Sequence, residues 1–252
     1  MFKFIKDIIA PKKCYSCGKE WHFLCEDCFE KIEKHYFFDE ICYVCKKYSK
    51  NFEVHDSCKN YSPLQRGDSW KAERSIFYDK TIILTHYKIK LIKKLVKDFK
   101  FYNKKDIAED FWELLIEKMI KHMPDELKTF KKQDFIVIPA PMNFFRKLKR
   151  WYNHSEVLAK YIALDFWFKF EKNIIKKIKN TRQQSKLKKE NRLKNLNNSF
   201  KINKNKVDII DNKIIILVDD IISTWTTVNE ISKLLKEYNP KKIIVITIAS
   251  WY

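Results

Sequence analysis

Seven cysteines stand within the first 58 residues of a 252-residue chain, and six of them form three C-x-x-C pairs: Cys14 and Cys17, Cys25 and Cys28, Cys42 and Cys45. His55 and Cys58 repeat the spacing with one imidazole. A C-x-x-C turn presents two thiolates to one ion, so eight such groups suffice for two tetrahedral sites. Soft sulfur with a borderline nitrogen, in a short segment with little apolar core of its own, suits structural zinc, one ion or two. Taken in chain order, Cys14, Cys17, Cys25 and Cys28 would hold one ion and Cys42, Cys45, His55 and Cys58 the other. Spacing alone leaves that pairing open, and His55 reads equally as a ligand or as a surface histidine.

A second chemistry lies near the other end. The run Ile214-Ile-Ile-Leu-Val-Asp219-Asp220-Ile-Ile-Ser223-Thr224-Trp225-Thr226-Thr227 reads as a buried strand that ends in two carboxylates, followed by a hydroxyl-rich turn into a helix. A helix N-terminus carries unpaired N–H groups and a positive dipole end, and Ser or Thr hydroxyls add donors, so a phosphate fits there. Two neighbouring acids can accept hydrogen bonds from the vicinal hydroxyls of a ribose. Together they suit a sugar phosphate. The same residues also read as a plain N-cap beside two solvated acids.

These groups need a scaffold. Phe135–Pro139, Lys213–Val218 and Lys242–Ala249 are runs dominated by apolar residues, as strands in the middle of a parallel sheet are. A helix expected at about 227–237 joins the last two into a βαβ unit. Earlier, Thr81–Thr85 reads as a strand, and helical spacing of apolar residues predicts helices up to Phe99 and over 105–122. Residues 76–252 are therefore expected to be α/β, after a 1–60 metal module and a polar 61–75 connector. Residues 1–10 read as a short amphipathic helix. No apolar run is long enough to span a bilayer, and the protein is expected in the cytoplasm. A net charge of +20 favours polyanions. It is concentrated in 171–206, with 13 Lys and Arg against 2 acids, which read as a long mobile loop. Arg182, Lys186, Lys188, Lys189, Arg192 and Lys194 could attract single-stranded DNA or close over a pyrophosphate.

Val218-Asp-Asp-Ile-Ile-Ser-Thr-x-Thr-Thr227 resembles the phosphoribosyl-pyrophosphate motif of type I phosphoribosyltransferases. Pro139-Ala-Pro141, the segment Arg146-x3-Arg150-Trp151-Tyr152-Asn153-His154-Ser155-Glu156-Val-Leu158-Ala159, and Thr181, Gln184, Leu187, Arg192, Asn195 and Phe200 follow, in order, the pattern of the ComF family of competence proteins. The resemblance covers nearly the whole chain. It implies a type I phosphoribosyltransferase-like parallel sheet flanked by helices, with a small zinc-ribbon-like N-terminal module. It further implies a site that takes phosphoribosyl pyrophosphate with Mg²⁺. Asp219 and Asp220 would lie on the ribose and Ser223 to Thr227 on the 5′-phosphate, with Arg150, Trp151, Asn153, Gln184 and Arg192 also binding substrate. Single-stranded DNA and proteins of the DNA-uptake machinery are the implied partners. An active transferase with an unread acceptor, and a zinc-dependent nucleic-acid adaptor with a dead phosphate site, are the alternatives.

Two residues depart from the pattern where it matters most. Trp151 and Trp225 stand where the family has glycine, which lets a backbone approach phosphate closely or take positive φ. The chain has 2 glycines and 7 tryptophans, where average usage gives roughly 18 glycines. Either ligand binding has been lost and the fold kept, or UGA codons that some bacteria translate as glycine are printed as tryptophan. The second reading explains both oddities and makes residues 151 and 225 glycines. Trp21 and Trp70 would be further cases, and Trp112 a genuine aromatic.

Overall fold

The computed structural model describes residues 11–35, 40–59, 75–102, 104–143, 148, 150–178, 199–223 and 225–251. The expected helix at 1–10, most of the connector, and Thr224, Gln184 and Arg192 lie outside the described residues.

Five parallel strands form the main sheet: β1 (Lys80–His86), β2 (Phe135–Pro139), β3 (Lys169–Phe170), β6 (Ile214–Ile222) and β7 (Lys242–Ser250). Their order is β1-β7-β6-β2-β3. The apolar runs form strands because both faces are covered. Ile214, Ile216 and Val218 of β6 join one core with Ile244, Ile246 and Ile248 of β7. Ile215 and Leu217 join the opposite core with Ile243 and Val245. On the first face lie α2 (Lys90–Phe101), α3 (Ile107–His122) and α5 (His154–Phe166), after the α1 helix (Glu26–His35) of the cysteine segment; a short α4 (Pro124–Thr129) follows α3. On the second lies α6 (Thr226–Lys236). No described helix is long and apolar enough to cross a membrane.

Two differences from the sequence reading have local causes. The strand expected to stop at Val218 runs on to Ile222 and carries both acids, since β7 continues beside it with Asp219 opposite Thr247 and Ile222 opposite Ser250. The 171–206 stretch is a loop only in part. Its ends form an antiparallel pair, β4 (Ile175–Lys177) and β5 (Phe200–Ile202), whose Ile175, Phe200 and Ile202 enter the second core.

The cysteine segments share these cores. Cys14, Leu24, Cys25, Cys28 and Phe29 pack into the first, while Cys42, Val54 and Cys58 pack into the second. Asp110 of α3, buried, accepts the backbone N–H groups of Phe23 at 2.5 Å and Leu24 at 3.1 Å. On the other side Glu53 bridges to Lys80 at the start of β1. Lys80 Nζ is buried and donates to Glu126 at 2.6 Å and to the His122 carbonyl at 3.0 Å; Lys242 meets the same Glu126 at 2.6 Å and Glu53 at 2.8 Å. The buried Glu126 carboxylate thus pairs with two lysines at the amino end of the sheet, and Glu53 supplies the second negative charge beside them. Removing one partner of a buried ion pair leaves uncompensated charge. Glu126→Ala is expected to lower stability by about 3–5 kcal/mol in urea unfolding, an effect typical of a broken buried pair.

Candidate functional site

Strands β2 and β6 are neighbours whose chains leave in opposite directions, β2 through α5 to β3 and β6 through α6 to β7. A crevice opens at the carboxyl ends of two such strands, which is where open α/β sheets bind ligands. Pairing between β2 and β6 ends at Pro139 opposite Val218, so Asp219 and Asp220 are the first residues of β6 beyond its β2 partner. The start of α5 fills one side. Asn153 Nδ2 donates to the Ala140 carbonyl at 2.9 Å, and Ser155 Oγ donates to Asp219 Oδ1 at 3.1 Å.

Asp220 takes the same strand alternation as Ile216 and Val218 and faces α2. Lys100 Nζ reaches its Oδ1 at 2.9 Å, and Thr247 Oγ1 donates to its carbonyl at 3.1 Å. The acids diverge electrostatically. Burial, with the Asp220 charge beside it, pushes the Asp219 carboxyl up to about 7. Burial acts the same way on Asp220, but Lys100, His154 and Arg150 outweigh it and hold that carboxyl below its ordinary range. The imidazole of His154 is fully buried, 3.9 Å from Asp220 and edge-on to Phe99. Burial lowers its pKa to about 4, so it is neutral at physiological pH. Arg150 lies over the Phe101 ring at 4.8 Å, and Tyr152 donates to the Phe99 carbonyl at 2.5 Å.

Of the residues singled out from the sequence, Asp219, Asp220, Ser223, Trp225, Thr226 and Thr227 follow one another along β6, its turn and the first turn of α6, while Arg150, Trp151 and Asn153 lead into α5. Trp151 is 81% exposed with φ 66°. The Trp225 ring lies against Tyr43 at 5.4 Å and Tyr78 at 5.8 Å, toward the Cys42–Cys45 knuckle. Lys100 and Thr247 carry no motif in the sequence, and His154 and Ser155 stand in the Arg146–Ala159 motif segment without a role read for either. Lys100 looks like any lysine on the polar side of an amphipathic helix, and only the fold brings it to an acid 120 residues away in sequence.

The cysteines gather as chain order suggests. The four ligand atoms of Cys14, Cys17, Cys25 and Cys28 lie within 4.8 Å of one another, as do those of Cys42, Cys45, His55 and Cys58. Cys17 and Cys25 Sγ are 3.6 Å apart, and Cys45 Sγ is 3.3 Å from His55 Nδ1. A tetrahedron of thiolates at the zinc–sulfur bond length has edges of about 3.8 Å. His55 Nε2 faces the Tyr48 carbonyl at 3.0 Å, and donating a proton there leaves the Nδ1 lone pair for an ion. Both clusters are compatible with a zinc module.

Residues 154–250 match the phosphoribosyl transferase domain family. The chain is 30% identical over 231 residues to Competence protein F of Haemophilus influenzae, covering 89% of this chain and 96% of that protein. It belongs to the ComF family. Competence protein ComFC of Streptococcus pneumoniae is 26% identical over 222 residues, 87% of this chain and 84% of its own length. In this ComF-family chain the matched domain begins at α5 and ends with β7, and so contains both acids and the turn after them.

The raised Asp219 carboxyl has a pH signature. Unfolded, it ionises near 3.8; folded, it keeps its proton to about 7. Between those values the folded state binds more protons, so this group's contribution to stability falls as pH rises. Asp219→Asn is expected to melt a few degrees above the parent at about pH 8, with the gap closing at about pH 4; thermal unfolding across pH checks this.

Proposed function

We propose that this phosphoribosyltransferase-like competence protein binds phosphoribosyl pyrophosphate at the carboxyl end of β6 and engages single-stranded DNA in the cytoplasm, alongside proteins of the DNA-uptake machinery. The observation that carries the reading is the acid pair at the strand switch point, one carboxylate fixed by Lys100 and the other by Ser155. In this reading Asp219 and Asp220 accept hydrogen bonds from the ribose hydroxyls. Ser223, Thr224, Thr226, Thr227 and the N–H groups opening α6 hold the 5′-phosphate. Arg150 and Asn153, with Gln184 and Arg192 from the basic stretch, face the pyrophosphate.

Mg²⁺ bound with the pyrophosphate would neutralise its charge and ease its departure in an active transferase. Zinc would be held by the two cysteine clusters as a structural ion, since four protein ligands leave no open position. The net charge of +20 supports DNA as a partner through phosphate contacts. A second reading, a zinc-dependent nucleic-acid adaptor with a closed phosphate site, is favoured by the presence of an indole at 225, at the start of α6, where it packs on Tyr43 and Tyr78.

Calorimetric titration with phosphoribosyl pyrophosphate and Mg²⁺ tests the ligand, using the protein with either Trp or Gly at 225. Binding is expected that Asp220→Ala weakens at least about tenfold, which corresponds to the loss of one good charged contact. Heat from neither form would leave the adaptor reading. Labelled single-stranded DNA is expected to be retained with an affinity that falls steeply with salt. Elemental analysis should find two zinc ions per chain, and a chelator strong enough to remove them should lower the melting temperature.

A further inference from the structure

We propose that the protein as translated carries glycine, not tryptophan, at positions 21, 151 and 167. Trp21 has φ 75°, Trp151 φ 66° and Trp167 φ 59°. These are left-handed values, in which a β-carbon crowds the following carbonyl and which glycine adopts without strain. Three of the six described tryptophans sit there. Of the five other non-glycine residues there, three are asparagine, which tolerates this region because its short amide can bond locally, and the other two are Lys46 and Phe52; an indole has no such compensation.

Each of the three also occupies a place where chain geometry asks for glycine. Trp167 is the residue past the end of α5. Its N–H reaches the Leu164 carbonyl at 3.3 Å, and the Phe168 N–H reaches the Ala163 carbonyl at 2.9 Å. This is the left-handed helix stop that glycine dominates. Trp21 closes the turn after the first knuckle, with its N–H bonded to the Lys12 carbonyl at 2.8 Å. Trp151 lies between Arg150 and Tyr152 at the mouth of the candidate site.

The side chains have found no core. Trp21 is 55% exposed, Trp151 81% and Trp167 76%. The Lys132 ammonium lies 5.7 Å from the Trp167 ring, a weak contact at such exposure. Trp112 is the opposite case. It is helical and 4% exposed, stacks edge-on with Phe166 and donates its Nε1–H to Asp165. These four tryptophans thus fall into two environments, one that uses an indole and one that requires no side chain at all, while Trp225 and Trp251 lie outside the left-handed region with aromatic neighbours. A UGA codon read as glycine produces that split in a translated sequence, together with the shortage of glycine. Residue 225 has φ −67° and ψ −6°, ordinary right-handed values, so its backbone does not assign it.

This inference is independent of any ligand. The gene is expected to show UGA at 21, 151 and 167 and UGG at 112. Peptides from protein isolated from its own cells should carry glycine at the first three and tryptophan at 112. A native peptide with tryptophan at 21, 151 or 167 overturns the proposal. A recombinant comparison gives a second readout. Trp21→Gly, Trp151→Gly and Trp167→Gly combined should raise the melting temperature by roughly 5–10 °C as three strained positions relax, whereas Trp112→Gly should lower it. A fall on the triple change would also overturn the assignment, because it would mean that the indoles support the fold.

Discussion

Two neighbouring carboxylates at the end of a buried strand cannot both be charged without a cation beside them, and Lys100 supplies it. The arrangement splits the pair: Asp220 stays ionised against the ammonium, and Asp219, lacking such a partner, is drawn toward its neutral form and leans on Ser155. Neither partner is local in sequence. Lys100 comes from the end of α2 and Ser155 from the first turn of α5, so the site exists only when both helices are seated on the same face of the sheet. The close packing of Phe99, Tyr152 and His154 keeps those two ends in register.

The cysteine segments belong to this mechanical frame. One cluster rests on the face that carries α2, α3 and α5, the other on the face that carries α6, and within the second segment Glu53 meets Lys80 and Lys242 at the amino end of the sheet. An ion in either cluster would stiffen a segment that packs into one of the two cores. The Tyr43 ring, between Cys42 and Cys45 in sequence, lies against residue 225 of the candidate phosphate turn. Metal occupancy and the shape of that turn are therefore physically adjacent.

The parallel sheet was legible because its strands are apolar on both sides; Phe135–Pro139 matches the expected strand residue for residue, and Ile214 onward and Lys242 onward follow closely. The set of cysteine ligands was legible because knuckle spacing is a local property, while which knuckles gather together, and that His55 joins the second group, is seen only in the fold. What escaped the sequence was set by distant partners. Ile221 and Ile222 prolong β6 only because β7 runs alongside, and the ends of the basic stretch pair only because Ile175 and Phe200 find a common core. Lys100 carried no signal of its own. The glycine-like character of residue 167 was equally hidden, since a helix stop is recognised by the residue that normally occupies it, and here an indole stood in that place.

The strand order holds a consequence for folding. β7, made after every other strand, lies between β1 and β6 and is hydrogen-bonded to both. Until β7 is in place, β1 and the Cys42–Cys58 segment that leans on it have no sheet to join, and a gap the width of one strand separates them from the rest. The frame therefore closes only when β7, the last of the described strands in chain order, inserts between its two neighbours, so a non-local pairing completes the assembly.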